Sequence, residues 1–229
     1  MTANLQNDHP VTYEWARVYA WCTEHQQQLL PLLPQGQFSH PEFVRFEVKD
    51  GLDKQIIYGV LSQFSAMARD RMPFMTFAVS RGGPVAPGEF SFPPDCMVTS
   101  NTKQILLAFA IARTVVRDLI LAEALRNRGL RINGKEHGAK TWINRMANLA
   151  AHDQRLSHRA SWVLKNRPVT DFDTNQWTVS EVLAEVGAAH ILGFTLNFDG
   201  YGLTPFEAPS QLREAMQAYL HAHYARDQK

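Results

Sequence analysis

Ten basic side chains fall between residues 126 and 167: Arg126, Arg128, Arg131, Lys135, Lys140, Arg145, Arg155, Arg159, Lys165 and Arg167. Only Glu136 and Asp153 oppose them, so the segment carries +8 in a chain of formal net charge +1, which leaves −7 for all other residues. Trp142 and Trp162 are interleaved with these charges, as are His137, His152 and His158. Such a set is suited to holding an anion. Lysine and arginine neutralise phosphates and release condensed counterions, and aromatic faces stack on unpaired bases. The Arg131–Lys140 connector adds glycines and backbone amides of the kind that contact a phosphate backbone. The expected nucleic-acid-binding residues are Arg126, Arg128, Arg131, Lys135, Lys140, Trp142, Arg145, Arg155 and Arg159. Phosphate contacts carry no sequence information, so DNA and RNA are not separated. An acidic protein surface offers the same complementarity, and the basic residues could also dock on the acidic remainder of the chain or face solvent.

Within that segment Arg145 and His152 are separated by six residues, and Arg131 and His137 by five. On a helix the first spacing sets the two ends nearly two turns apart, where they can share a face. The Arg145–His152 pair resembles the arginine-to-histidine motif of HEPN-type ribonucleases, over that motif and a helical context alone. The resemblance implies a helical, often dimeric protein in which the pair would cleave RNA at a composite site across the dimer interface. Read without it, Arg145 is a surface cation and His152 a helix-end histidine.

Other chemistries fail on spacing. Asp171-Phe-Asp173-Thr174-Asn175 starts like a calcium loop, but Gln176 stands where glycine is needed and Val182 where the bidentate glutamate belongs. The run also lacks the apolar strand that precedes a dehalogenase-type nucleophile, and a solvated acidic loop capping the next helix accounts for it better. His221 and His223 are two apart, which on a helix points them to different faces. No carboxylate or cysteine joins His152 and His158 in a ligand set. Cys22 and Cys96 have no CxxC spacing, which excludes a disulfide framework and a cysteine-rich zinc site. Cys96 reads as a small buried hydrophobe rather than a nucleophile. GxSxG, HExxH, a Walker lysine loop and a GxGxxG turn are all missing. No zinc-finger pattern, heptad repeat or aromatic RNA-recognition signature accompanies the basic segment. Thr178–Phe194 departs from a helix-turn-helix because Ile191–Phe198 alternates like a strand. The expectation is a protein with no catalytic residues, no metal and no cofactor.

Helices must position these residues, and the organising one is Asn101–Gly129. Asn101 with Gln104 fits a capping box, Arg126 and Arg128 suit a helix C-terminus, and Gly129 suits a left-handed stop. Apolar residues cover most sides of this helix, which marks it as central. Lys103, Arg113, Arg117 and Asp118 limit its longest apolar run to Ile105–Ala112, too short to cross a membrane. Around it the periodicity predicts amphipathic helices over 11–30, ended by Pro31 and Pro34, and over 52–69 after a Lys49-Asp50-Gly51 turn. Further helices are expected at about 139–151 and 154–165, from Thr178 to Gly187 with a Thr178/Glu181 capping box, and from Pro209 to Arg226. Strands are predicted at 44–48, 74–80, 90–92, 97–99 and 192–198, the last ending in an Asp199-Gly200 turn, with Asn133-Gly134 as another tight turn. Prolines at 84, 87, 93 and 94 confine the pieces beside them to edges or loops.

The fold class is therefore α-rich α+β: a long buried central helix, amphipathic helices around it, and a small antiparallel or mixed sheet. The 229 residues are read as one globular domain, divisible into a mixed α/β part, 1–100, and a mainly helical part, 101–229. Two cysteines and an N-terminus without a basic start or apolar segment imply a cytoplasmic protein. Function is read as a non-enzymatic accessory or regulatory protein binding an anionic partner, most naturally nucleic acid, through residues 126–167. The alternative is an adaptor or inhibitor acting on another protein, with the Arg81–Pro94 loop as a contact surface. An RNA-cleaving enzyme comes third.

Overall fold

The computed structural model describes residues 20–22, 24–36, 44–47, 51–71, 75–80, 95–99, 104–126, 129–151, 176–197, 202–205 and 210–224. Helix α1 (Gln26–Leu29) runs into a 3-10 turn over Leu30–Leu32. Pro31 sits in the first positions of that turn, where a missing amide is tolerated, so the break falls at Leu33 (ψ 140°) rather than at the proline. Strand β1 (Val44–Glu47) is followed by α2 (Gly51–Ser62) and α3 (Ala66–Arg71). Gly51 thus opens a helix instead of closing a turn. The single helix expected over 52–69 is divided at Gln63–Ser65, because Ser65 Oγ accepts the Ala68 amide at 3.1 Å and starts a new helix as its N-cap.

Strands β2 (Met75–Ser80) and β3 (Asp95–Thr99) join β1 in a parallel sheet of order β1-β2-β3. Parallel pairing needs a crossover, which α2 and α3 supply between β1 and β2. Helix α4 (Gln104–Arg126) spans 23 residues. Gly129 then opens strand β4 (Gly129–Ile132), which pairs antiparallel with β5 (Lys135–Gly138). Helix α5 (Ala139–Ala151) follows without a break. Helix α6 (Gln176–Leu192), the hairpin β6 (Phe194–Asn197) and β7 (Gly202–Pro205), helix α7 (Ser210–Leu220) and strand β8 (His223–Tyr224) complete the chain. β8 returns to pair with β4, giving a second sheet of order β5-β4-β8. The fold is a helix-rich α+β arrangement with a long central helix and, among the described residues, three small sheets, one of them parallel.

Helix α4 is buried from Ile105 to Ala124 on nearly every side and packs most extensively on α6, then on α2 and α5. Helix α6 is buried nearly all round as well, with Val179 through Ala189 buried, Ser180 and Glu185 among them, apart from Glu181, whose side chain is not described. It is longer than predicted. Thr178 lies inside it rather than at its cap, and Gly187 does not end it. A Cβ on Gly187 would meet Val116 Cγ1 at 2.5 Å, so this glycine lets α4 and α6 approach closely. The stop is Gly193, with φ 78° and its amide donating to Ala189 O at 2.8 Å, the left-handed geometry that glycine favours. Helix α7 buries Leu212, Ala215, Met216, Tyr219 and Leu220, the face that its spacing predicts. It ends at Leu220, so His221 and His223 lie in a turn and a strand and not on one helix. Buried side chains from Cys22 to Ala222 form one contiguous apolar cluster. Among the described residues no helix is long and apolar enough to cross a membrane.

The predicted helix over 11–19, the Asn101 cap, the strand at 90–92, the Arg81–Pro94 loop, the helix at 154–165, the Asp171–Asn175 run and the Asp199-Gly200 turn lie outside the described residues.

Candidate nucleic-acid interface and the buried charges of the central helix

Residues 129–151 form one continuous hairpin–helix unit. Asn133 (φ 50°) and Gly134 (φ 78°) both take positive φ between the paired residues Ile132 and Lys135. That is the two-residue turn matching the natural twist of two strands, and it explains an Asn-Gly pair at this point. Alternation along β4 buries Leu130 and Ile132 and exposes Arg131. Arg131 stands opposite Glu136 and Leu130 opposite His137, so Arg131 and His137 project to opposite faces of the sheet. The alternative arginine–histidine pair is thereby separated.

Beyond β5 the chain enters α5 at Ala139, which is fully buried, and Trp142 follows one turn later at 7% exposure. Trp142 Nε1 donates to Ala215 O on α7 at 3.2 Å. The His137 ring lies 5.0 Å from its indole, tilted by 57°, and the Arg145 guanidinium carbon lies 4.8 Å from the ring centroid. The indole is therefore a fixed floor under Arg145 and not the open stacking face that the sequence suggested, because its N–H is engaged in the core and its ring is covered. Arg145 itself is exposed. With Thr141, Asn144, Asn148 and Leu149 it lines a groove of about 500 Å³ along α5.

Of the expected binding residues, Arg131, Lys135, Lys140, Trp142 and Arg145 belong to this unit. Arg131, Lys135 and Arg145 are exposed, Lys140 is half-buried and holds a contact of its own, and Trp142 is buried. Arg126 is the last residue of α4, its side chain undescribed. Arg128, Arg155, Arg159 and His152 lie outside the described residues, so only the arginine end of the Arg145–His152 motif is described.

A second group of charges sits in the core. Arg71, 1% exposed, donates from Nη1 to Tyr219 O at 2.6 Å and to Ala222 O at 3.1 Å. Its guanidinium carbon is 4.7 Å from the Tyr219 ring centroid, and its Nε is 3.7 Å from Glu123 Oε1. Glu123 also accepts from Tyr224 Oη at 3.0 Å. Tyr219 Oη donates to Leu119 O at 3.4 Å, and burial pushes its phenol far up. Ser65 Oγ donates to Leu220 O at 2.9 Å. Together these bonds satisfy carbonyls at the end of α7 and turn the chain into β8. A parallel device joins α4 to α6: Arg113 Nε and Glu185 Oε1 are 2.8 Å apart, close enough for strong attraction though out of line for a hydrogen bond.

Asp118 differs. It is 2% exposed, its Oδ1 has no hydrogen-bond partner, and Thr114 Oγ1, one turn earlier, has none either. Burial pushes the Asp118 carboxyl up to about 7, against the downward pull of Arg117. Nothing in the local sequence marks these core charges, since Arg113 and Asp118 differ from surface charges only in what packs around them. Burial likewise pushes the Cys22 thiol up to about 12, which makes it unreactive. Among the described residues no three His, Cys, Asp or Glu side chains converge as a metal site would need.

Comparison with protein-family models, with curated proteins and with solved structures finds no match.

Proposed function

We propose that this protein binds nucleic acid through the basic hairpin–helix unit, as an accessory or regulatory protein. One observation carries the reading: Lys135 on the hairpin and Arg145 on α5 are exposed cations of one continuous unit, while Arg131 projects from the hairpin's other face opposite the exposed Glu136. The core supplies a second support. Its buried acids Glu123 and Glu185 face Arg71 and Arg113, neither of which belongs to the +8 segment. Those two carboxylates are engaged elsewhere and do not neutralise the basic surface. An anionic polymer meets such a surface with gain from counterion release.

The test is fluorescence anisotropy with labelled single-stranded DNA, duplex DNA and RNA at low and high salt. Affinity should fall with salt, and replacing Lys135 by Glu and Arg131 by Gln should weaken binding without moving the thermal midpoint. Each lost phosphate contact should lower the salt slope by about 0.7 to 0.9. Absence of binding at low salt would refute the reading and turn attention to an acidic protein partner.

A further inference from the structure

Arg145 is the one exposed cation of the unit whose position is set by its surroundings. Trp142 beneath it cannot turn away, because its indole N–H is bonded to Ala215 O at 3.2 Å and the ring is 7% exposed. The guanidinium lies 4.8 Å from that ring, beside the groove. The groove wall offers a hydroxyl from Thr141, two amides from Asn144 and Asn148, and a single aliphatic side chain, Leu149. Asn144 and Asn148 hold contacts of their own. The groove is shallow and open to solvent, with about 500 Å³ of space. That is room for one nucleotide laid along α5, and a duplex, whose bases stay stacked, could offer it only backbone.

We infer that this groove takes one unpaired nucleotide of a single-stranded nucleic acid, its phosphodiester on the Arg145 fork and its base against Leu149. The inference rests on the nucleic-acid reading above and specifies its ligand. A planar guanidinium presents two parallel N–H donors to two phosphate oxygens, which an ammonium cannot do. A splayed base, which only an unpaired strand can offer, then lies against the aliphatic Leu149 side chain.

The experiment compares a labelled single-stranded oligo-dA, its duplex with oligo-dT, and an oligomer of the same length in which the bases are replaced by abasic sites. Proteins are the wild type, Arg145→Ala, Arg145→Lys and, on the hairpin, Lys135→Glu. Arg145 is exposed, so its variants should keep the wild-type melting curve. Arg145→Ala should weaken single-strand binding by about tenfold or more, the value of hydrogen bonds to a charged group, and duplex binding by less. Arg145→Lys should resemble Arg145→Ala, and the abasic oligomer should bind the wild type several-fold more weakly than oligo-dA. Full rescue by lysine would overturn the inference, since a point charge would then suffice. So would equal affinity for the abasic oligomer, which would leave the recess without a base. If Lys135→Glu weakens binding while Arg145→Ala does not, the nucleic-acid reading stands and the groove falls. If the wild type binds none of the probes, both fall.

Discussion

Asp118 makes the central helix sensitive to pH, and its replacement by asparagine measures how much. The carboxyl moves from an ordinary 3.8 to about 7 on folding. At ~1.4 kcal/mol per pH unit, that displacement corresponds to a penalty of ~4 kcal/mol on the ionised form inside the fold. The sign follows from proton binding. The folded chain holds this proton more tightly than the unfolded chain, so the contribution is fully present below 3.8 and is lost as pH rises to about 7. Wild-type stability should therefore fall across that window by up to ~1.4 kcal/mol per pH unit from this group and level off above it. An asparagine in its place carries no charge and has nearly the same shape, and its amide would lie one turn from the unpartnered Thr114 Oγ1. Allowing for relaxation around the charge, Asp118→Asn should be ~2–4 kcal/mol more stable than wild type near pH 8, and the gap should shrink to ~1 kcal/mol near pH 5. Urea unfolding at constant ionic strength across that range reads both numbers. A variant less stable than wild type at the alkaline end, or a gap that ignores pH, would refute the reasoning.

His190 predicts the opposite trend: burial, then His221 and Arg213, lower its pKa below 6.5, so its contribution is present above that value and lost as pH falls through the lowered one. In Asp118→Asn the residual acid-side dependence should accordingly reverse sign, and His190→Gln in that background should flatten it. Gly187→Ala should destabilise by ~1–3 kcal/mol despite alanine's better helix propensity, because Val116 fills the space, and Val116→Ala in the same chain should recover part of the loss in urea melts. Arg71→Ala should cost ~3–5 kcal/mol by leaving Glu123 buried without its cation, and limited proteolysis should then cut first near residues 219–224. Gly134→Ala should cost ~1 kcal/mol, read from the melting midpoint, since φ 78° is unfavourable for any side chain.

Periodicity found the central helix and the buried face of α7 because both depend on apolar spacing alone, which a single segment displays. It failed where a distant residue decides. Gly187 looks like a helix stop until Val116 is placed against it, and α2 looks continuous with α3 until Ser65 is seen bonding both the Ala68 amide and Leu220 O, 155 positions away. Trp142 failed for the same reason. Its place among basic residues suggested a stacking surface, while its indole bond to Ala215 comes from a helix 73 positions later. Exposure of Arg131, Lys135 and Arg145 was foreseeable from charge, but the pinning of Arg145 was not, because the residue that pins it is itself held by tertiary structure.

The same distinction separates the two sets of charges. A charge in the core persists only with a partner nearby, since desolvation otherwise drives it neutral. Arg71 and Arg113 meet this condition with Glu123 and Glu185 and join α3 and α6 to the central helix. At Asp118 burial outweighs the pull of Arg117, and its carboxyl is driven up accordingly. The hairpin–helix cations face water and owe their positions to no such need. Arg71 nevertheless connects the two sets. It holds the carbonyls of Tyr219 and Ala222, which sets the path of β8 along β4 and hence the bed on which Arg131 stands. Weakening the clasp with Arg71→Lys, which keeps the charge but loses the fork, should therefore reduce nucleic-acid binding at the hairpin more than at Arg145. A variant that loses stability while both sites bind as before would show that the hairpin holds its shape without β8.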